Sequence, residues 1–307
     1  MKKITYTLLI SILIFSCDEV IHPNLPLADA PIVIDAWLYN KAETQTISIR
    51  RANTYFDNST PTGMSGAIVS ITDLADEGNP IFFSEDEPGQ YIWNPIDPTD
   101  SFGDIGHDYR LNIQLAGNSY TSFSSINPVP SIDSITWRLE PETVFFDDSY
   151  FGEFWSRDLI GEGNLYWIKT WKNGQLLNNP SEINIAYDAA FSEEAHADGF
   201  FFIQPIRDAM NPFELDNNDR LIQPYDLGDS AFVEINSITP AAFFFLQQVQ
   251  IQTDRPGGFA ELFSTPLANV QSNILSSDRS EKVLGFFCTS ASSGLGRKFT
   301  EDAILED

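Results

Sequence analysis

In Trp167-Ile168-Lys169-Thr170-Trp171 two indoles flank an ammonium at alternate positions, and alternate residues of a β-strand share one face. Such a face could stack a sugar or a peptide, although aromatics on strands also serve as core and cross-strand packing. Trp155, beside Phe151 and Phe154, adds aromatic contacts among acidic residues, so Trp155, Trp167 and Trp171 form the candidate binding surface. The irregular stretches 145–163 and 191–199 would form its rim. Other constellations read more plainly. Glu193-Glu194-Ala195-His196-Ala197-Asp198 gathers carboxylates and an imidazole without the spacing of a metal motif, and reads as a solvated acidic loop. Asp97, Asp100 and Asp104, and separately Asp216, Asn218 and Asp219, offer oxygen ligands for calcium, but not at EF-hand spacing. There is no Gly-x-Ser-x-Gly elbow, and His22, His107 and His196 fall in a tether, a turn and an acidic loop, which argues against a catalytic triad. Paired carboxylates for glycoside hydrolysis stay open, because 44 acidic residues guarantee chance pairs. No catalytic residue, cofactor or metal ligand is assigned.

The N-terminus carries a sharper signal. Lys2 and Lys3 precede a mostly apolar run from Ile4 to Phe15, which ends at Ser16-Cys17 and is followed at once by Asp18 and Glu19. That is the layout of a secretory signal, too short for the roughly 20 apolar residues of a transmembrane helix. A small residue followed by Cys at this place resembles a lipobox, where the thiol is diacylated and becomes the first residue of the mature chain. Two or more acyl chains, at about 0.8 kcal/mol per buried CH₂, give lasting anchorage where one does not. With Cys17 acylated, Cys288 has no internal partner, and in the apolar run Val283-Leu284-Gly285-Phe286-Phe287-Cys288 it reads as a small buried hydrophobe. Residues 1–16 are the expected signal peptide, and 17–30, with Pro23 and Pro26 and no periodicity, the expected lipid-anchored tether.

These residues sit in a chain of 307, with 17 Lys plus Arg against 44 Asp plus Glu and a formal net charge of −27. A balance this acidic repels a phosphate backbone, so nucleic acid is excluded as a partner. It also denies the body any nonspecific pull toward an anionic membrane, leaving attachment to the lipid. From Pro31 short β-type runs recur between Gly, Pro, Asn and Asp clusters, the pattern of a sandwich. Strands are expected near 32–39, 44–50, 67–72, 81–84, 90–93, 109–115 and 119–124, then 134–139, 165–171, 182–187, 200–205, 231–237 and 283–289. Asn127-Pro128-Val129-Pro130 marks a boundary between domains at 31–130 and 131–307, since its prolines cannot donate to a ladder. Thr239 as N-cap and Pro240 at the first position open one main helix running to about Thr253, with Ile238 and Phe243 placed for a hydrophobic staple. The triplets Phe200-Phe201-Phe202 and Phe243-Phe244-Phe245 are expected to be buried between layers. The fold class is mainly β: an N-terminal Ig-like or transthyretin-like β-sandwich, then a second β-rich domain with one main helix.

A lipobox signal followed in order by Gly66-Ala67-Ile68-Val69-Ser70-Ile71-Thr72-Asp73, Gly89-Gln90-Tyr91, Gly106-His107-Asp108-Tyr109-Arg110-Leu111 and Val129-Pro130-Ser131-Ile132-Asp133-Ser134-Ile135 resembles the Bacteroidota lipoprotein family called domain of unknown function 4249. Phe191-Ser192-Glu193-Glu194, Ile235-Asn236-Ser237-Ile238, Asn269-Val270-Gln271-Ser272-Asn273-Ile274 and Leu284-Gly285-Phe286-Phe287 continue that order over nearly the whole chain. The resemblance implies an outer-membrane lipoprotein that accompanies a TonB-dependent β-barrel transporter as a non-catalytic binding or accessory subunit. It also implies that Asp18 and Glu19 act as an export signal placing the body outside the cell; in enterobacteria an Asp at that place instead retains a lipoprotein at the inner membrane. The alternatives are a surface glycan or peptide hydrolase using loop carboxylates, and a structural or adhesive surface lipoprotein.

Overall fold

A computed structural model of the chain describes residues 30–305 apart from 54–56, 58, 219, 256 and 265. The expected signal, Cys17, Asp18, Glu19, all of the tether but Ala30, and Asp219 lie outside the described residues. Period-two alternation builds the first strands: β1 (Ile32–Tyr39), β2 (Gln45–Arg51), β3 (Thr62–Gly63), β4 (Ile68–Asp73), β5 (Ile81–Glu87), β6 (Gln90–Trp93), β7 (Asp108–Leu115) and β8 (Asn118–Ser125). In β7, Tyr109, Leu111, Ile113 and Leu115 are buried and the residues between them are not. There follow β9 (Ile132–Glu140), β10 (Ser149–Ser156), β11 (Leu165–Lys172), β12 (Gln175–Leu176), β13 (Asn184–Tyr187), α1 (Gln204–Asp208), β14 (Ser230–Ser237), α2 (Pro240–Thr253), β15 (Leu275–Ser276), β16 (Val283–Ser290) and β17 (Ser292–Lys298).

The first sheet has the order β15-β8-β7-β4-β5-β6-β2-β1-β16, with β3 beside β2. Its strand β5 pairs with β4 through Ile81–Phe83 and with β6 through the rest of its length, so the sheet folds over on itself. Ile34, Leu38 and Ile49 from one half meet Val69, Leu111 and Ile113 from the other in a shared core. Each such buried aliphatic side chain contributes about 1.5–3 kcal/mol of transfer free energy. Strand β16 runs parallel to β1, Ile32 opposite Val283 through Tyr39 opposite Ser290. The far edge of β16 is tied to β8 by side chains: Asn273 accepts from Phe287 N (2.9 Å) and donates to Phe287 O (2.8 Å), while Thr289 N donates to Ser124 Oγ (2.8 Å).

The second half holds the β9–β10 pair and a sheet of order β12-β11-β14-β17 with β13 also on β11. Trp137, Phe154, Tyr166, Phe202, Tyr225 and Phe299 fill its core. A third cluster, with Phe243 and Leu246 of α2, Leu165 of β11 and Phe286 and Cys288 of β16, covers the outer face of the β1–β16 pair. Residues on either side of Pro130 feed different cores, yet β15 and β16 return to the first sheet, so that sheet is not built by 31–130 alone. Pro31–Asp307 clusters as one compact unit. Among the described residues no helix is long and apolar enough to cross a membrane.

Three expectations need correction. The stretch 145–163 is not irregular throughout, because β10 occupies Ser149–Ser156; Gly152 and Glu153 interrupt its apolar alternation, yet both are buried. Residues 200–205 form no strand beyond an isolated bridge at Phe201, and Gln204 and Pro205 instead open the short helix α1. Strand β17 went unread because its Ser and Gly residues are poor strand formers. Their smallness has a use: a Cβ on Gly294 would lie 2.5 Å from Phe232 Cζ, so the bare backbone makes room for that ring. Helix α2 keeps its expected start, with Thr239 Oγ1 accepting from Ala242 N (3.3 Å).

Candidate functional site

Strand β1 has one buried face and one partly covered face, and the second begins the site. Ile32, Ile34, Ala36 and Leu38 point into the first core, leaving Asp35, Trp37 and Tyr39 on the opposite side. Strand β11 has the same division: Tyr166 and Ile168 enter the second core, while Trp167, Lys169 and Trp171 share the other face. Antiparallel register with β14 sets Asn236 opposite Trp167, Glu234 opposite Lys169 and Phe232 opposite Trp171. The two outer faces meet where Trp37 packs edge-on against Trp167, with centroids 4.9 Å apart.

Beside that contact a cleft of about 440 Å³ opens between Tyr39, Lys41 and Glu43 on one side and Lys169, Trp171, Phe232 and Glu234 on the other. Trp171 and Phe232 pack edge to face at 5.4 Å and form one aromatic wall. A second cavity of about 240 Å³ is lined by Trp37, Trp167, Leu176, Leu177, Ile183 and the α2 residues Phe245, Leu246 and Val249. Lys169 lines both.

The charges are unevenly shared. Glu234, only 4% exposed, is ion-paired with Lys41, which also approaches Glu43 at 3.8 Å. Lys169 donates to the Tyr39 hydroxyl, and its ammonium lies 4.3 Å from the Tyr39 ring centre and 4.1 Å from that of Trp167. Among the described residues it makes no ion pair with a carboxylate. Burial pushes the Lys169 ammonium down to about 8, with Glu234 opposing and Lys41 adding to the fall. Burial, reinforced by Glu234 and Asp35, raises the Tyr39 phenol well above its usual range. The arrangement is equipped to bind: aromatic walls for an apolar or ring-shaped group, and an unpaired cation to orient it.

Trp171 thus lines the open cleft and Trp167 the smaller cavity, on one face of β11 with Lys169 between them, and Trp155 lies elsewhere. Trp155 Nε1 donates to Thr136 Oγ1 (2.9 Å), its ring meets Phe201 edge-on, and the Arg207 guanidinium lies 4.2 Å from its centre. Arg207 in turn holds buried Glu153 at 2.5 Å, so Trp155 covers an internal ion pair. Within the Phe triplets Phe202 and Phe243 are buried, but Phe200, Phe201 and Phe244 are exposed, which corrects the expectation for them. Cys288 is fully buried, and burial raises its thiol.

His196 stands exposed at the left-handed end of a one-turn helix. Asp97 accepts from Thr99 N and Asp216 from Asn218 N and Arg220 N, so both are occupied with their own turns. Asp104 leaves Asp97 and Asp100 and joins Asp73 and His107, whose possible ligand atoms fall within 4.8 Å of one another. There His107 Nδ1 lies 2.7 Å from Asp73 Oδ2, and this hydrogen bond raises the imidazole above its ordinary value.

Tyr39, Lys41, Phe232 and Glu234 escaped sequence reasoning. Glu234 and Phe232 had a usable signal, since they alternate on a strand as Lys169 and Trp171 do; Tyr39 and Lys41 had none, because only the packing of β1 on β11 brings them in.

The fold is β-rich, and its described residues form an aromatic, charge-bearing recess at Lys169. The chain belongs to the family described as Domain of unknown function (DUF4249), whose model matches residues 18–294. No curated protein matches it. Some residues of those ordered motifs tie segments together. Tyr91 OH donates to Met64 O (2.8 Å) and accepts from Ala67 N (2.9 Å); Asn273 ties off β16; Ser237 Oγ bridges Asn127 O (2.5 Å) and Ala291 N (3.1 Å) between the two halves.

Proposed function

We propose that this protein is a Bacteroidota outer-membrane lipoprotein, anchored through acylated Cys17, that works as a non-catalytic binding subunit beside a TonB-dependent transporter, with the cleft at Lys169 as its binding site. The observation that carries the binding role is the cleft itself: Tyr39, Trp171 and Phe232 wall a recess of about 440 Å³ around an ammonium that no carboxylate neutralises among the described residues. Anchorage is supported by the Lys2-Lys3 start, the apolar run and Ser16-Cys17, and an outward orientation by Asp18 and Glu19. Removal of residues 1–16 takes two lysines and leaves a body at −29, which needs the lipid to stay at a membrane.

Protein purified from gently solubilised outer membranes tests this reading. Intact mass is expected to show a chain that starts at a diacylated Cys17 and co-elutes stoichiometrically with a β-barrel. An unmodified N-terminus downstream of Cys17 would sink the anchor, and repeated recovery without a barrel but with glycan or peptide hydrolysis would favour the hydrolase.

A further inference from the structure

The smaller cavity and the ammonium at its mouth make one site. At about 240 Å³ it exceeds the roughly 150 Å³ cavity that accepts benzene. It has room for a ring with two or three further carbons, and its walls are largely apolar. Its acidic lining residue, Glu182, is spent on Asn179 N, from which it accepts at 2.7 Å. Lys169 stands where this cavity meets the open cleft.

Among the described residues, the charged groups acting on Lys169 are engaged elsewhere or stand too far off to pair, and the Cys288 thiol of β16 is buried with its titration raised. Glu234, across the ladder, is taken by Lys41; Glu43 leans on the same Lys41; Asp35 adds only a distant attraction. Lys169 is half-buried at the cleft, and only the Tyr39 phenol, two ring faces and the unpaired attraction of Glu234 offset its partial desolvation, so an anion arriving from solution would supply the ion pair it lacks. A small inorganic anion would leave the apolar cavity unused, whereas a cation would meet Lys169 head-on.

We infer that the site takes an amphipathic organic carboxylate, of aryl-alkyl or medium-chain acyl type, with its head on Lys169 and its apolar body between Trp37, Trp167 and Leu246. The inference deepens the reading proposed above: Lys169 lines both that cleft and this cavity, so the head would lie at their junction and the apolar body in the smaller cavity. An ion pair formed at Lys169 also favours its protonated form, so binding above pH 8 takes up a proton.

Isothermal titration of the purified protein with 3-phenylpropionate, octanoate, 3-phenylpropan-1-ol and 3-phenylpropylamine tests the site and separates the aryl from the acyl source. At least one acid is expected to bind saturably, and the alcohol and amine about tenfold or more weakly. Lys169→Met should bring the acid down to the level of the alcohol while leaving the alcohol unchanged. Leu177→Trp, at the part-buried rim of the cavity, should weaken all of them; thermal melts confirm that both variants fold. Titrations at pH 8.5 in buffers of different ionisation heat should show proton uptake in the wild type and none in Lys169→Met. Equal binding of acid and alcohol, or an acid affinity indifferent to Lys169→Met, overturns the carboxylate while leaving the cleft as a binding site. Absence of binding by all four probes to folded wild-type protein overturns the carboxylate and the binding cleft together.

Discussion

Lys169 is the residue on which the site turns, and its protonation gives a test that needs no ligand. In the unfolded chain a lysine titrates near ~10.4, whereas in the fold burial holds this one at about 8. Between those values the unfolded state binds more protons, so folding stability rises with pH across that window and the penalty is complete below it. Lys169→Met removes the cost, and should add about 1–2 kcal/mol at pH 7 and abolish the rise toward about pH 9.5 that Lys169 causes. Urea denaturation of both proteins at the two pH values measures it, and parallel pH dependence in wild type and variant would contradict the assignment. Trp167 and Trp171 were legible because strand alternation alone puts them with Lys169 on one face. Their partners Tyr39 and Lys41 were not, since packing of one strand on another leaves no mark in local spacing. Trp155 misled for a related reason: sequence shows that an aromatic sits among charges, but not that Arg207 and Glu153 have already claimed it.

At the scale of elements, legibility followed how far each segment obeyed one period. Strands such as β1 and β7, buried on alternate residues, were readable almost to their ends, as was α2 with its Thr239-Pro240 start. β10 and β17 were not, because buried Gly152 and Glu153 break the pattern of one and small residues make up the other. The parallel β1–β16 pair joins residues some 250 positions apart, and sequence reasoning left β16 with the second half because nothing in local spacing pairs it with β1. That pairing makes a strict demand at Gly285, which has φ +86° and whose Cβ, if present, would stand 2.0 Å from Ile34 O. Gly285→Ala should therefore cost about 3 kcal/mol or more, while Gly78→Ala, where the nearest atom would be 3.8 Å from a Cβ, should stay within about 0.5 kcal/mol. Chemical denaturation of the two variants decides it; a loss below about 1 kcal/mol for Gly285→Ala would mean that β16 is not held against β1 in this register.

At the scale of the molecule, Ser237 links the two β-rich halves through Asn127 and Ala291, and the cleft lies between β1 and β11. The lipid attachment proposed above rests on the strong acidity of the chain and on Cys17 behind an apolar N-terminal run, and not on any feature of the fold. The central claim is that the recess at Lys169 is where this molecule binds its ligand. A crystal structure of the protein soaked with 3-phenylpropionate tests that most directly. The expected result is carboxylate density at about 2.7–2.9 Å from Lys169 Nζ, with the ring between Trp37 and Leu246; an empty recess at saturating ligand, or density only elsewhere on the protein, would contradict it.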